Sequence, residues 1–198
     1  MNLNRQRQNP IRRLLPFYIR PEYPLDPVPV PPAPTPVPTP SNNGEKVYNQ
    51  FVARYGARQW DSTVEQIQRW YYGGAFVKDN WCATSMSYMC DQAGCLNRIG
   101  GKNENVYDMM IACQAAAAAN LGTFYTKAQL PATIPQYAVC FWLWSGTTMT
   151  STSSKHVNLS ELDNGDGTLT CIGGNQSNQI RSSTYDKSRL YAIYVIGG

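Results

Sequence analysis

At 198 residues, with 42 % apolar and 12 % aromatic side chains, the chain can bury the core of one domain and carry appendages besides. Its net charge of +4 is mostly held in residues 1–40; the remainder sets 12 basic against 11 acidic side chains, so no basic surface argues for nucleic acid. No apolar run reaches the roughly 18 residues that a bilayer span needs, and Pro10, Arg12, Arg13, Pro16 and Arg20 interrupt any signal-peptide core, so neither a membrane span nor classical secretion is expected.

Residues 1–23 mix Arg5, Arg7, Arg12, Arg13 and Arg20 with Ile11, Leu14, Leu15, Phe17, Tyr18 and Ile19. A segment this short cannot fold alone. It reads either as a disordered arm or as a docking peptide that buries its apolar residues on a partner. Twelve of the 14 prolines lie in residues 1–40, and the run 24–40 is expected to be polyproline II. At about 3.1 Å per residue it is a semi-rigid spacer of roughly 50 Å. Ser41–Gly44 reads as a hinge that completes a linker over 24–44, and the domain is expected over 45–198.

Within the domain, residues 45–55 predict a helix with Tyr48, Phe51, Val52 and Tyr55 on one face, ended by Gly56. Ser62 and Glu65 have capping-box spacing and open a second helix that runs through Tyr72 to Gly73-Gly74. Asp79-Asn80-Trp81 is a polar entry into a third helix, Cys82 onwards, with Met86, Met89, Cys90 and Ala93 at helical spacing and Gly94 as its stop. Asn105–Asn120 predicts an Ala-rich helix stopped by Gly122. Tyr137–Ser145 predicts a buried strand, and Gly146–Ser154 a flexible polar loop. His156–Leu162 alternates as a strand, residues 163–167 form a hairpin turn, and Thr168–Gly173 returns. Arg189–Ile196 is a last strand. Helices first and an antiparallel meander after them make an α+β domain.

Cys82 would occupy the first turn of its helix, where unpaired N–H groups and the helix dipole favour negative charge. Its thiol pKa should therefore fall, and the same N–H groups could hold an oxyanion. His156 is the sole histidine, so any imidazole base for Cys82 has to be this one. It opens a strand just after a flexible loop, where its ring can reach a helix N-terminus packed on the sheet. The hairpin returns Gly173-Gly174-Asn175-Gln176 beside it, which makes Asn175 the candidate orienter of the ring, with Asn158 on the same strand face as the alternative. Asn80 or Asp79 could contribute a side chain to the oxyanion site. The six cysteines form no CxxC pair, and with one histidine a structural zinc site is not expected.

The order Trp81-Cys82-Ala83, Gln92-Ala93-Gly94, His156-Val157 and Gly173-Gly174-Asn175-Gln176-Ser177 resembles the CHAP superfamily, the cysteine, histidine-dependent amidohydrolases and peptidases related to NlpC-type wall peptidases. The resemblance spans about residues 45–198 and none of the arm. It implies a papain-like fold, N-terminal helices on an antiparallel sheet, and a catalytic set of Cys82, His156 and Asn175. It further implies cleavage of peptidoglycan amide bonds, as an amidase or an endopeptidase, without metal or cofactor. Two departures stand out. Gly173 replaces the Glu found in many members, and no Gly-Asp precedes the Cys140 strand, so orientation of the histidine falls to Asn175 or elsewhere.

Taken with the arm, the resemblance points to a phage-encoded wall hydrolase tethered to a virion or other assembly protein through residues 1–23. The alternatives are an inactive structural or wall-binding module of the same fold, and a secreted antibacterial effector loaded through the arm.

Overall fold

The computed structural model describes residues 42–77 and 79–198; the expected docking peptide (1–23) and polyproline II spacer (24–40) lie outside the described residues. The first helix, α1 (Asn42–Val52), begins inside the stretch expected to be a hinge. Tertiary contacts from two distant segments account for this. Asn43 Nδ2 donates to the Gly197 carbonyl at 2.6 Å. Gly44 lies so near Tyr137 that a Cβ would sit 2.8 Å from that carbonyl oxygen. Val47 and Phe51 form the fully buried side of α1.

Helix α2 (Ser62–Tyr71) buries Val64 and Ile67. The expected capping box does not form. Asp61 is the N-cap residue, its carboxylate accepts from Arg58 N at 2.8 Å, and Glu65 pairs instead with Arg69 one turn on at 2.6 Å. Gly73 and Gly74 close the helix with φ of +64° and +101°, a region where a Cβ would be strained.

Helix α3 (Cys82–Gln92) is the centre of the domain: every residue from Cys82 to Cys90 is buried. It packs against α1, α2 and the sheet, and Gly94, φ +71°, stops it as expected. Complete burial of Met86 and Met89 is worth about 1.5–3 kcal/mol each, which fixes the helix more firmly than its modest intrinsic propensity. Its buried polar positions are largely satisfied locally; Ser85 Oγ donates to the Cys82 carbonyl at 2.8 Å, and Ser87 Oγ bridges to Asn103.

Helix α4 (Val106–Ala118) starts at Asn105, whose side chain accepts from Tyr107 N at 2.9 Å. Asn120, φ +58°, makes the turn that Gly122 was expected to make. Gly122 instead opens a strand absent from the sequence reading, β1 (Gly122–Thr126).

The other strands are β2 (Val139–Leu143), β3 (Lys155–Asp163), β4 (Thr168–Gly173), β5 (Arg181–Asp186) and β6 (Leu190–Ile196). Every pairing is antiparallel, in the order β1-β6-β2-β3-β4-β5. Strands β2, β3 and β4 follow one another as the expected meander, and β5 extends it at the far edge. β6 then returns to the free edge of β2, and β1 adds outside β6. β5 was also missed, because Arg181-Ser182-Ser183-Thr184-Tyr185-Asp186 is a half-exposed edge with no apolar alternation. The described residues thus form an α+β fold of four α-helices and a six-stranded antiparallel sheet.

Both sheet faces are covered. On one, Val139, Phe141, Val157, Leu159 and Ile172 join the helices in the larger core. On the other, Cys140, Trp142, Leu169, Cys171 and Ile193 form a smaller cluster with Trp144 and Tyr185. No helix among the described residues is long and apolar enough to cross a membrane.

Candidate active site

A cavity of about 430 Å³ opens where α3 begins and β3 begins, and Cys82, His156, Asn175, Asn80 and Asp79 all line it. Five of the six residues singled out in the sequence as site candidates, Cys82, His156, Asn175, Asn80 and Asp79, therefore meet in one place. They come from segments up to 95 positions apart: Asn175 Nδ2 donates to Asn80 Oδ1 at 3.3 Å. Asp79 braces this edge by accepting from Asn80 N at 2.6 Å. Asn158, the sixth, is fully buried and does not line the cavity.

Cys82 is held at the first turn of α3 by Trp81, which is 1 % exposed, and by the sheet beneath. Gly174 allows this close approach. A Cβ there would collide with Ser85 Oγ and lie 2.7 Å from the Trp81 ring. The expected fall in the Cys82 pKa does not occur. Burial pushes the thiol above its ordinary value, and the N–H groups of Val157, Ala83 and Cys82, followed by the Lys155 charge, pull it down without overcoming that. A helix N-terminus contributes a fraction of a charge, whereas removing water from a thiolate costs more when the group is sealed in.

The strand alternation decides what faces Cys82. Lys155, Val157 and Leu159 pair across from Leu143, Phe141 and Val139, on the helix side. His156 and Asn158 pair with Trp142 and Cys140, on the opposite face. The imidazole therefore sits at the end of the sheet in an aromatic nest, its centroid 6.4 Å from Trp144 and 6.2 Å from Tyr185. Burial there depresses its pKa to about 4, and the Gln176 side chain beside it, which favours the charged ring, offsets only part of the fall. Among the described residues His156 Nε2 has no well-formed hydrogen bond. Burial thus favours the uncharged form of both the thiol and the imidazole, and no hydrogen bond joins them among the described residues.

Orientation of the ring involves a residue the sequence reading passed over. Asn175 points to Asn80, whereas Gln176, 3 % exposed, lies against His156. Gln176 Oε1 accepts from Asn158 Nδ2 at 3.0 Å and from Tyr185 Oη at 2.5 Å, and Nε2 donates to the Cys171 and Arg181 carbonyls. Asn158 Oδ1 accepts from Trp142 Nε1 at 2.7 Å. Asn158 thus acts on the histidine only through Gln176. Gly173 makes room for this network, since a Cβ there would be 2.7 Å from Asn158 Cβ. The signal in the sequence was an amide directly after a tight Gly-Gly-Asn turn. Asn175 at φ +60° spends its conformation on the turn and sends its neighbour inward.

All six cysteines are buried free thiols. Among the described residues no group of three or more His, Cys, Asp and Glu side chains is placed to hold a metal ion. The cavity brings together a thiol at a helix start, an imidazole, backbone N–H groups at the thiol and the side-chain amides of Asn80 and Asn175. Comparison with known protein families and with curated proteins finds no match.

Proposed function

We propose that the chain is a cysteine hydrolase of peptidoglycan amide bonds with a papain-like, CHAP-type arrangement. The observation that carries this is the convergence of Cys82, at the start of the buried helix, and His156, at the start of β3, on one solvent-open cavity. In the mechanism that follows, His156 acts as general base during attack and not as the cation of a preformed ion pair. The ring takes the Cys82 proton as sulfur adds to the amide carbonyl, N–H groups at the thiol hold the oxyanion, and the protonated ring then delivers its proton to the leaving amine. Water regenerates the thiol. Catalytic hydrogen bonds are often open before substrate arrives, and substrate closing the cavity would bring ring and thiol together. Gln176, in this reading, orients the ring where the resemblance places Asn175 or a Glu at position 173.

The test is release of muropeptide fragments from purified walls, read by mass spectrometry, with wild type, Cys82→Ala and His156→Ala. Fragments that vanish in both variants support the enzyme, and their new termini separate amidase from endopeptidase. Folded wild type that releases none from several wall chemotypes refutes it. A second reading, a wall-binding or structural module without turnover, is favoured by the burial of both groups, which works against an activated ion pair, and by the lack, among the described residues, of a hydrogen-bond partner at His156 Nε2. Attachment to a virion through residues 1–23 belongs to the same proposal, against an effector loaded through that arm. Removal of residues 1–40 should spare hydrolysis and abolish incorporation into particles.

A further inference from the structure

Lys155 acts on Cys82 only through its charge in the proposed mechanism, yet alternation along β3 puts it, not His156, on the sheet face that carries Cys82. It lines the same cavity. Its ammonium is anchored, donating to the Ser151 carbonyl at 2.5 Å and the Ser153 carbonyl at 3.0 Å. An ammonium has three N–H donors, so one is left for the cavity. The ion pairs among the described residues are Arg69 with Glu65 and Lys187 with Asp163; Lys155 belongs to neither. Asp108, in the first turn of α4, attracts it from outside ion-pair distance. Lys155 is thus a cation fixed by two uncharged carbonyls on the cavity lining, with no carboxylate at ion-pair distance among the described residues.

We propose that Lys155 is the anion-recognition residue of this cavity, and that it receives a carboxylate carried by the substrate next to the scissile amide. The inference rests on the hydrolase reading for its substrate, but the anion site itself does not need turnover. It narrows the substrate class to acidic peptides. A wall peptide whose glutamate keeps its free carboxylate fits, and the carboxamide form of the same peptide leaves the third donor unmatched. The 151–154 loop takes part as well, since the carbonyls that hold Lys155 fix the width of the cavity on that side.

Alkylation of Cys82 tests the charge without any substrate. Iodoacetate carries a carboxylate and iodoacetamide does not; both alkylate Cys82 with loss of iodide, and peptide mass spectrometry reads the rate at that residue alone. The iodoacetate-to-iodoacetamide rate ratio should fall about tenfold in Lys155→Met, the change that a unit charge roughly 12 Å from the reagent carboxylate makes at an effective dielectric of about 20, and more if the two come closer. Lys155→Arg should keep most of the ratio, and salt near 1 M should flatten the difference. Thermal melts of the variants separate a charge effect from a collapsed loop. Equal ratios in wild type, Lys155→Met and Lys155→Arg overturn the anion site. Cleavage of the carboxylate and carboxamide peptides at the same rate overturns its role in substrate choice. If no peptide is cleaved while the alkylation ratio still depends on Lys155, the anion site stands and the hydrolase reading fails.

Discussion

Being the only histidine, His156 can be titrated without interference. Burial in the Trp144–Tyr185 nest depresses its pKa from 6.5 to about 4. An unfolded chain would therefore bind a proton near pH 6.5 that the folded chain refuses until about pH 4. Between those values the unfolded state binds more protons, so stability rises with pH across the window and is lost as pH falls through it. Each pH unit is worth about 1.4 kcal/mol, which gives about 2 kcal/mol lost between pH 7 and pH 5 and about 3 kcal/mol by pH 4. A domain of this size has only about 5–15 kcal/mol in all. Urea unfolding at pH 7, 6 and 5 would show the loss, and His156→Gln should remove most of the slope. Proton NMR reads the same quantity directly, since one imidazole gives one titrating Hε1 signal. A midpoint near 4 is expected. A midpoint at or above 6.5 would refute the argument and restore a thiolate–imidazolium pair at neutral pH.

Gln176→Leu leaves Asn158 Nδ2 and Tyr185 Oη without their acceptor. The expected cost is about 2–4 kcal/mol by urea unfolding, with a further fall of the His156 NMR midpoint. Gly174→Ala should lower stability by at least about 2 kcal/mol and slow Cys82 alkylation, because its Cβ meets Ser85 and Trp81 on the wall that holds the thiol. Asp163→Ala removes the partner of Lys187 at 2.7 Å and of Ile134 N at 2.8 Å, a loss of about 2–4 kcal/mol in the same assay. Burial opposes ionisation of that carboxyl, but the Ile134 N–H, the Lys187 ammonium and the Gly165 N–H hold its pKa below the ordinary value. Its contribution is therefore present at neutral pH and lost as acid protonates it.

Helix α3, helix α4 and strands β2, β3, β4 and β6 were legible in the sequence because each carries a dense or periodic apolar pattern between turn residues. Gly94 stops α3 for a local reason, its positive φ, and local reasons are what a sequence displays. That Cys82 and the sole histidine belong to one cavity was legible too, because any imidazole near the thiol had to be His156. Strands β1 and β5 were not, because they are edges: their polar residues are tolerated by solvent, and only hydrogen bonding to β6 and β4 makes them strands. The start of α1 at Asn42 depends on Gly197 and Tyr137, far along the chain.

The site divides in the same way. Residue types and order determined which groups could do chemistry here, a thiol at a helix start and one imidazole at a strand start. Tertiary structure decided their state. The depth of burial reversed the expected direction of the Cys82 pKa, the two-residue alternation of β3 turned Lys155 towards the thiol and His156 into the aromatic nest, and the turn at Asn175 delivered Gln176 to the ring. Each of these depends on solvent exclusion or on facing across the sheet, and neither quantity exists until the chain has closed on itself.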